Sequence, residues 1–318
     1  MTVERNKKMW EKVVVTGAAG FIGGHLCHEL VSRGVREIVG IDSLRSGDWS
    51  RTPNSVVKIE KDIARISEDE WNEKLRGANV LFHLAAEKYN SSKTTPEKVL
   101  TVNVLATERL FRAAAKANVT RTVFTSSLYA YGSMGPESMQ ETDVTAPTTL
   151  YGSSKLMGEG ILRSIDQEIG MSWNVARLFF IFGPHQHAEG GYKSVIMKNF
   201  QNIISGASPT IFGDGNQSLD YVYISDCVSA LIELAKSTQD REIVNVSTGV
   251  AVSVNDLTSR MLQISQSKLK SAYKSADWTH GSTRCGNPNR IEKKFNWNPK
   301  KDLNEGLDDV YRWLKEKQ

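Results

Sequence analysis

A tyrosine and a lysine four residues apart, Tyr151 and Lys155, are the side chains of this 318-residue chain best spaced to do chemistry. On a helix that spacing puts phenol and ammonium on one face, a turn apart. A free tyrosine, with a pKa of about 10, is a poor base near neutrality. A neighbouring ammonium favours the phenolate and moves the phenol toward the working range. Upstream, Val123-Phe124-Thr125-Ser126-Ser127 is an apolar run ending in hydroxyls, which reads as a buried strand delivering Ser126 and Ser127 at its carboxyl end. A serine there could bridge Tyr151 to a substrate hydroxyl. Tyr-x-x-x-Lys alone equally fits an ordinary amphipathic helix start, so the reading needs support from elsewhere in the chain.

The amino-terminal stretch supplies it. Val13-Val14-Val15-Thr16 is a short β-branched strand, followed by Gly17-Ala18-Ala19-Gly20-Phe21-Ile22-Gly23 and an apolar-periodic helix through Leu26, Leu30 and Val31. In such a turn the first glycine allows the tight bend and the second lets a pyrophosphate approach the helix amino terminus. The third lets helix and strand pack closely. A second strand, Glu37–Ile41, then ends in Asp42, whose carboxylate suits ribose hydroxyls and repels a 2′-phosphate. That argues for NAD over NADP, with Arg45 the nearby cation that could argue otherwise.

Together these residues resemble the extended short-chain dehydrogenase/reductases, in their NAD-dependent epimerase/dehydratase branch, over about residues 12 to 316. The resemblance implies a bound NAD. It assigns the cofactor contacts to Gly17, Gly20, Phe21, Ile22, Gly23 and Asp42, to Asp62 and Ile63 at the adenine, and to Leu84, Ala85, Ala86 and Lys88 after His83. Asn103, Ser126, Tyr151, Lys155 and Phe179 complete that set. Ser127, Tyr151 and Lys155 become the catalytic residues: Tyr151 removes a hydroxyl proton while hydride leaves the same carbon, and Ser127 orients the reacting oxygen. The implied substrate is a nucleotide sugar, facing Ser127, Tyr129, Phe180, His185, Lys193, Arg284 and Cys285.

What becomes of the resulting ketone separates the branches of the family. Dehydratases carry Asp-Glu directly after the strand-end hydroxyl, and decarboxylating relatives need a carboxylate at the second of those positions; this chain has Leu128 and Tyr129, which cannot do carboxylate work. Epimerisation at C4 is therefore expected, with a simple alcohol or sugar dehydrogenase or ketoreductase as the alternative and a non-catalytic NAD-binding module behind it. Three anchors common among relatives are replaced, by Phe180, Leu219 and Trp278. Each charge-assisted contact is worth about 1.5–3 kcal/mol. Substitute donors are available in His185, Gln186, His187, Lys193 and Arg284. A cysteine at position 285 would leave room for an N-acetyl group, although a small buried thiol accounts for it equally well.

Composition agrees with an enzyme of small molecules. A net charge of +4 is too modest for a nucleic-acid surface. No apolar run reaches the roughly 18 residues of a membrane-spanning helix, and Met1 to Trp10 lack a signal peptide's apolar core. Three scattered cysteines, Cys27, Cys227 and Cys285, fit reduced thiols and a cytoplasmic setting. His185-x-His187 lacks the companions of a metal site, so no metal is expected.

Strand and helix alternate along the chain, which is the pattern of a parallel sheet covered on both faces. Strands are expected at Val13–Thr16, Glu37–Ile41, Val56–Glu60, Val80–Leu84, Thr122–Ser126 and Trp173–Phe179, with Ile243–Val246 returning to them. Helices are expected at Gly20–Arg33, Glu68–Leu75, Pro96–Ala117 and Leu150–Ile165. The fold class is thus α/β, a doubly wound (Rossmann) sheet over 1–180, with 220–249 returning to it. A smaller α/β carboxyl-terminal substrate lobe takes 181–219 and 250–318. A helix over Tyr192–Ser205, strands Pro209–Phe212 and Leu219–Ile224, a helix capped by Ser225-Asp226, and a closing helix Leu303–Leu314 fill the rest. Relatives pair the helices matching Pro96–Ala117 and Leu150–Ile165 into a four-helix bundle. A homodimer is expected, with Leu100, Val104 and Phe111 as its apolar contacts or, equally, as residues facing the sheet.

Overall fold

The computed structural model describes residues 9–133, 135, 137–186, 194–276 and 281–317. Its strands are β1 (Lys12–Thr16), β2 (Glu37–Asp42), β3 (Val57–Glu60), β4 (Val80–His83), β5 (Arg121–Ser127), β6 (Trp173–Leu178), β7 (Phe180–Phe182), β8 (Thr210–Phe212), β9 (Ser218–Tyr223), β10 (Glu242–Val246), β11 (Ala251–Ser253), β12 (Ala272–Lys274) and β13 (Thr283–Arg284). The helices are α1 (Phe21–Ser32), α2 (Glu68–Leu75), α3 (Ser91–Thr94), α4 (Pro96–Leu100), α5 (Thr107–Lys116), α6 (Leu150–Ile169), α7 (Val195–Ile204), α8 (Ile224–Lys236), α9 (Val254–Ile264), α10 (Asn289–Phe295) and α11 (Leu303–Lys315).

Seven strands form the main sheet in the order β10-β6-β5-β4-β1-β2-β3. The pairs from β5 through β4, β1 and β2 to β3 are parallel. The chain winds outward from β1 to β3 and then returns to β1's other side with β4. That reversal opens a crevice at the carboxyl ends of β1 and β4. β1, in the interior of the sheet, is buried on both faces, which is why Val13-Val14-Val15 reads as an unbroken apolar run rather than an alternation.

The chain divides into two compact units: Met1–Ser126 with Thr149–Ala176 and Leu231–Ile243, and Ser127–Thr148 with Arg177–Ala230 and Val244–Gln318. The bounds expected from sequence gave 127–148, 177–180, 220–230 and 244–249 to the first lobe, whereas these stretches belong to the second unit. The first unit's core packs Val14, Ile41, Leu81 and Phe124 of the strands against Trp71, Leu110, Phe111 and Leu162 of the helices. In the second, Phe182, Leu219 and Tyr221 pack with Phe200, Leu257, Met261, Leu307 and Val310.

Local chemistry explains most of the helix starts. Ser67 and Glu70 form a reciprocal capping box on α2. Pro96 opens α4, and the Thr149 hydroxyl accepts the Gly152 N–H at 3.0 Å to start α6. Three expectations change. The single helix expected over Pro96–Ala117 is interrupted by a π-helical turn, Thr101–Ala106. Ser225 and Asp226 do not cap α8, because the helix already begins at Ile224; Asp226 instead accepts the Lys301 N–H at 3.0 Å. Phe111 is wholly buried in the first core and offers nothing to a dimer face.

Candidate active site

The glycine turn has the shape its sequence promises. Gly17 takes a φ of +74°, and a Cβ there would lie 2.8 Å from the Ala85 nitrogen. A Cβ on Gly23 would lie 2.1 Å from the Gly17 oxygen, so only glycine lets α1 pack this tightly on β1. α1 has no side-chain cap and no acid in its first turn, which leaves its amino-terminal N–H groups directed at a cradle that a side chain would fill. Phe21 and Ile22 start this helix. These features fit the diphosphate of a dinucleotide.

Asp42 ends β2 where ribose would follow. Its carboxylate accepts the N–H groups of Ala19 at 3.0 Å and Leu44 at 2.8 Å. Burial raises its pKa, partly offset by those bonds and by the charges of Arg51 and Lys88. Arg45, the cation near Asp42, is ion-paired with Asp62 at 3.3 Å and with Glu87. Asp62 also caps the short turn Ile63–Arg65, and Ile63 is buried in the core beneath. Leu84, Ala85 and Ala86 are half-buried just beyond β4. His83 is hydrogen-bonded to Thr16 at 2.7 Å and Thr107 at 2.9 Å, and burial pushes it down to about 3, so it is a neutral buttress. Asn103 lies in the π-helical turn. It brackets both backbone groups of Glu87 and donates to the Ser154 hydroxyl at 3.0 Å.

α6 carries the expected pair. Gly158 brings this helix against β5, since a Cβ there would lie 2.6 Å from the Phe124 ring. That approach sets the Lys155 Nζ 5.9 Å from the centre of the Tyr151 ring and 5.1 Å from that of Phe124. Nζ donates to the Thr125 carbonyl at 2.9 Å. Burial lowers this lysine to about 7. A phenolate at Tyr151 is the counter-charge that would hold the Lys155 ammonium protonated. Ser126, expected at the cofactor, gives its hydroxyl proton to Glu159 at 2.6 Å. Glu159 is completely buried and was missed from sequence, although it stands one turn beyond Lys155.

In the second unit, Ser127 caps the turn Leu128–Ala130 by accepting the Tyr129 N–H at 3.3 Å, which leaves its own proton to donate. Arg284 lies over the Tyr129 ring at 5.8 Å. It is also the register partner of Leu219 across β13 and β9. Cys285 is buried with its sulfur 3.7 Å from Asp220, and its thiol is pushed up to about 12, so it is a small buried donor rather than a nucleophile. Phe179 packs on Gly286, Phe180 lies 6.2 Å from Tyr221, and His185 lies against Trp313 of α11 at 5.1 Å. Lys193, His187 and Trp278 lie outside the described residues.

Sequence reasoning also missed Asp220. This buried carboxylate accepts the Thr248 N–H and hydroxyl and the Gly249 and Gly286 N–H groups, tying β9 to both loops beside Arg284 and Cys285. Only its place just after the Gly213-Asp214-Gly215 turn could have drawn attention to it. No group of three histidine, cysteine or acidic side chains among the described residues is arranged to hold a metal ion.

Comparison with known proteins places this geometry. The NAD dependent epimerase/dehydratase family matches residues 13–247. The uncharacterized UDP-glucose epimerase YtcB of Bacillus subtilis is 29% identical over 95% of this chain and 98% of its own. A UDP-N-acetylglucosamine 4-epimerase from Methanobrevibacter ruminantium M1, solved with UDP-N-acetylmuramic acid, superposes with a TM-score of 0.92 at 27% identity, over 97% of this chain and 99% of that one. MoeE5, solved with UDP-glucuronic acid and NAD, is 31% identical with a TM-score of 0.85, over 96% of this chain and 100% of that one.

Proposed function

This chain belongs to the NAD dependent epimerase/dehydratase family, and from that premise we propose that it inverts C4 of a UDP-sugar through a transient 4-keto intermediate. The observation that carries the reading is the turn Leu128–Ala130 after Ser127, which offers no carboxylate to eliminate water or to assist decarboxylation. A ketone formed there is left to be reduced on its other face or, in a dehydrogenase, released; the relatives favour the first. Relatives named as UDP-sugar epimerases support this reading.

NAD, when bound, accepts the C4 hydride and returns it. Tyr151 takes the 4-hydroxyl proton as hydride leaves and gives it back as hydride returns. Lys155 carries the positive charge that makes a phenolate tolerable, and Ser127 donates a hydrogen bond to the reacting oxygen as charge develops there. Arg284 takes the diphosphate: Leu219 stands where the resemblance expects an arginine, and Arg284 is its neighbour on the adjacent strand.

Dimerisation is part of the same proposal. Leu100, Leu105 and Met157 are exposed apolar side chains on α4, the π-helical turn and α6, and they suit a helical interface with a second copy. Cys27, Cys227 and Cys285 are free and buried, which suits a cytoplasmic enzyme; no helix among the described residues is long and apolar enough to cross a membrane. The test is to incubate the purified protein with UDP-glucose, UDP-N-acetylglucosamine and UDP-glucuronic acid and to read products by NMR. A C4 epimer of any of them supports the proposal. A dehydrated, decarboxylated or oxidised product contradicts it.

A further inference from the structure

β2 and β4 are the two neighbours of β1, so their carboxyl ends flank the glycine turn on which the NAD diphosphate would lie. Two strand spacings, about 9.6 Å, separate them. Arg45, just beyond β2, nevertheless pairs with Glu87, just beyond β4, and the same guanidinium reaches Asp62 beyond β3. The ion pair therefore joins the loops that follow the two neighbours of β1. We propose that Arg45 and Glu87 form a latch across the dinucleotide groove that retains NAD between the two hydride transfers. The inference rests on the epimerase reading, in which the reduced cofactor must stay bound until it returns its hydride.

The two halves of the latch are built differently. Glu87 is the fixed half. Its N–H donates to the Asn103 Oδ1 at 2.7 Å, its carbonyl accepts from the Asn103 Nδ2 at 3.0 Å, and its carboxylate accepts the Ser91 hydroxyl at 2.8 Å. Its side chain is 11% exposed against 44% for Arg45, so Arg45 is the half that can swing aside. An isolated surface ion pair would hold little. Here one guanidinium stands between two carboxylates, one of them largely buried and anchored, and such charge-assisted contacts are the stronger kind.

The anchor also reaches the reacting residues. Asn103 donates to the Ser154 hydroxyl, which in turn donates to the Tyr151 carbonyl at 2.8 Å. Closing the latch and holding the first turn of α6 therefore share one asparagine. Neither residue of the latch touches the hydride or the proton in this account; both act by keeping the cofactor in place.

The experiment is to load the purified holoenzyme with etheno-NAD and follow fluorescence as excess NAD displaces it. Arg45→Met and Glu87→Gln should each speed release by about tenfold, and the double variant should release no faster than the quicker single variant, because the pair acts as a unit. Release from the unsubstituted protein should quicken with added salt, and release from Arg45→Met should not. Unchanged release from Arg45→Met, a change confined to the rate of binding, or strictly additive effects would overturn the latch. Should Glu87→Gln fail to fold, the half-exposed Arg45→Met and the salt series decide the matter. No sugar is needed, so a failed latch leaves the epimerase reading standing, and a failed epimerase assay leaves the release rates measurable.

Discussion

Replacing Lys155 with methionine should abolish turnover and yet make the protein more stable. The ammonium is buried, and burial lowers its pKa from 10.5 to about 7. Above pH 10.5 the lysine is neutral in both the folded and unfolded chain and costs nothing. As pH falls the unfolded chain takes up the proton first, so the folded state loses ground until about pH 7, below which the full penalty applies. A shift of that size corresponds to about 5 kcal/mol at its limit. Methionine keeps the volume but loses the bond to the Thr125 carbonyl, which costs back about 1–3 kcal/mol. A net gain of about 2–4 kcal/mol is expected near neutral and acid pH, fading as pH rises and reversing between about pH 8 and 10. Urea unfolding of the cofactor-free protein across that range measures it. A variant less stable near pH 6, or a gain that does not shrink as pH rises, would refute the assignment of a costly buried charge. Turnover should fall by about 10²–10⁴-fold, since the variant lacks the ammonium that makes a Tyr151 phenolate tolerable.

Tyr151→Phe should lower kcat by a comparable factor of about 10²–10⁴ while the affinity for NAD, read by fluorescence titration, changes only a few-fold. Gly23→Ala drives a methyl to within 2.1 Å of the Gly17 oxygen; it should cost about 1–3 kcal/mol of stability and leave the purified protein without cofactor, which its absorbance spectrum will report. Asp220→Asn removes one of two acceptor oxygens that between them take five donors, the Cys285 thiol among them. Affinity for UDP, measured by calorimetry, should weaken as the loops beside Arg284 and Cys285 loosen, while NAD binding is unaffected; an unchanged UDP affinity would mean that those loops hold their shape without it.

Much of this architecture was legible because it depends on short-range pattern. Val13-Val14-Val15 followed by the spaced glycines fixes a strand, a turn and a helix within about a dozen residues, and Tyr151 with Lys155 needs only one helical turn to meet. What could not be read depends on partners far away in sequence. The π-helical turn at Asn103 exists because its amide engages Glu87 and Ser154, from two other elements. Phe111 has the same apolar character as Leu100, and only its packing under Phe124 separates a core residue from an exposed one. His185 reads as a phosphate donor in a loop, and its contact with Trp313 of the closing helix, more than a hundred residues on, is invisible in the sequence. Asp220 and Glu159 went unnoticed in the sequence because the donors that satisfy Asp220 and the hydroxyl that meets Glu159 come from segments distant in the chain.

The central claim is that one enzyme molecule removes a hydride from C4 and returns the same hydride to the opposite face. The most direct measurement uses UDP-glucose and UDP-N-acetylglucosamine deuterated at C4, with NMR of the product and simultaneous absorbance of NADH. The account predicts a C4 epimer that keeps its deuterium and no net NADH. Deuterium lost to reduced cofactor in solution, or accumulation of NADH with a ketone, would contradict it and make the protein a dehydrogenase.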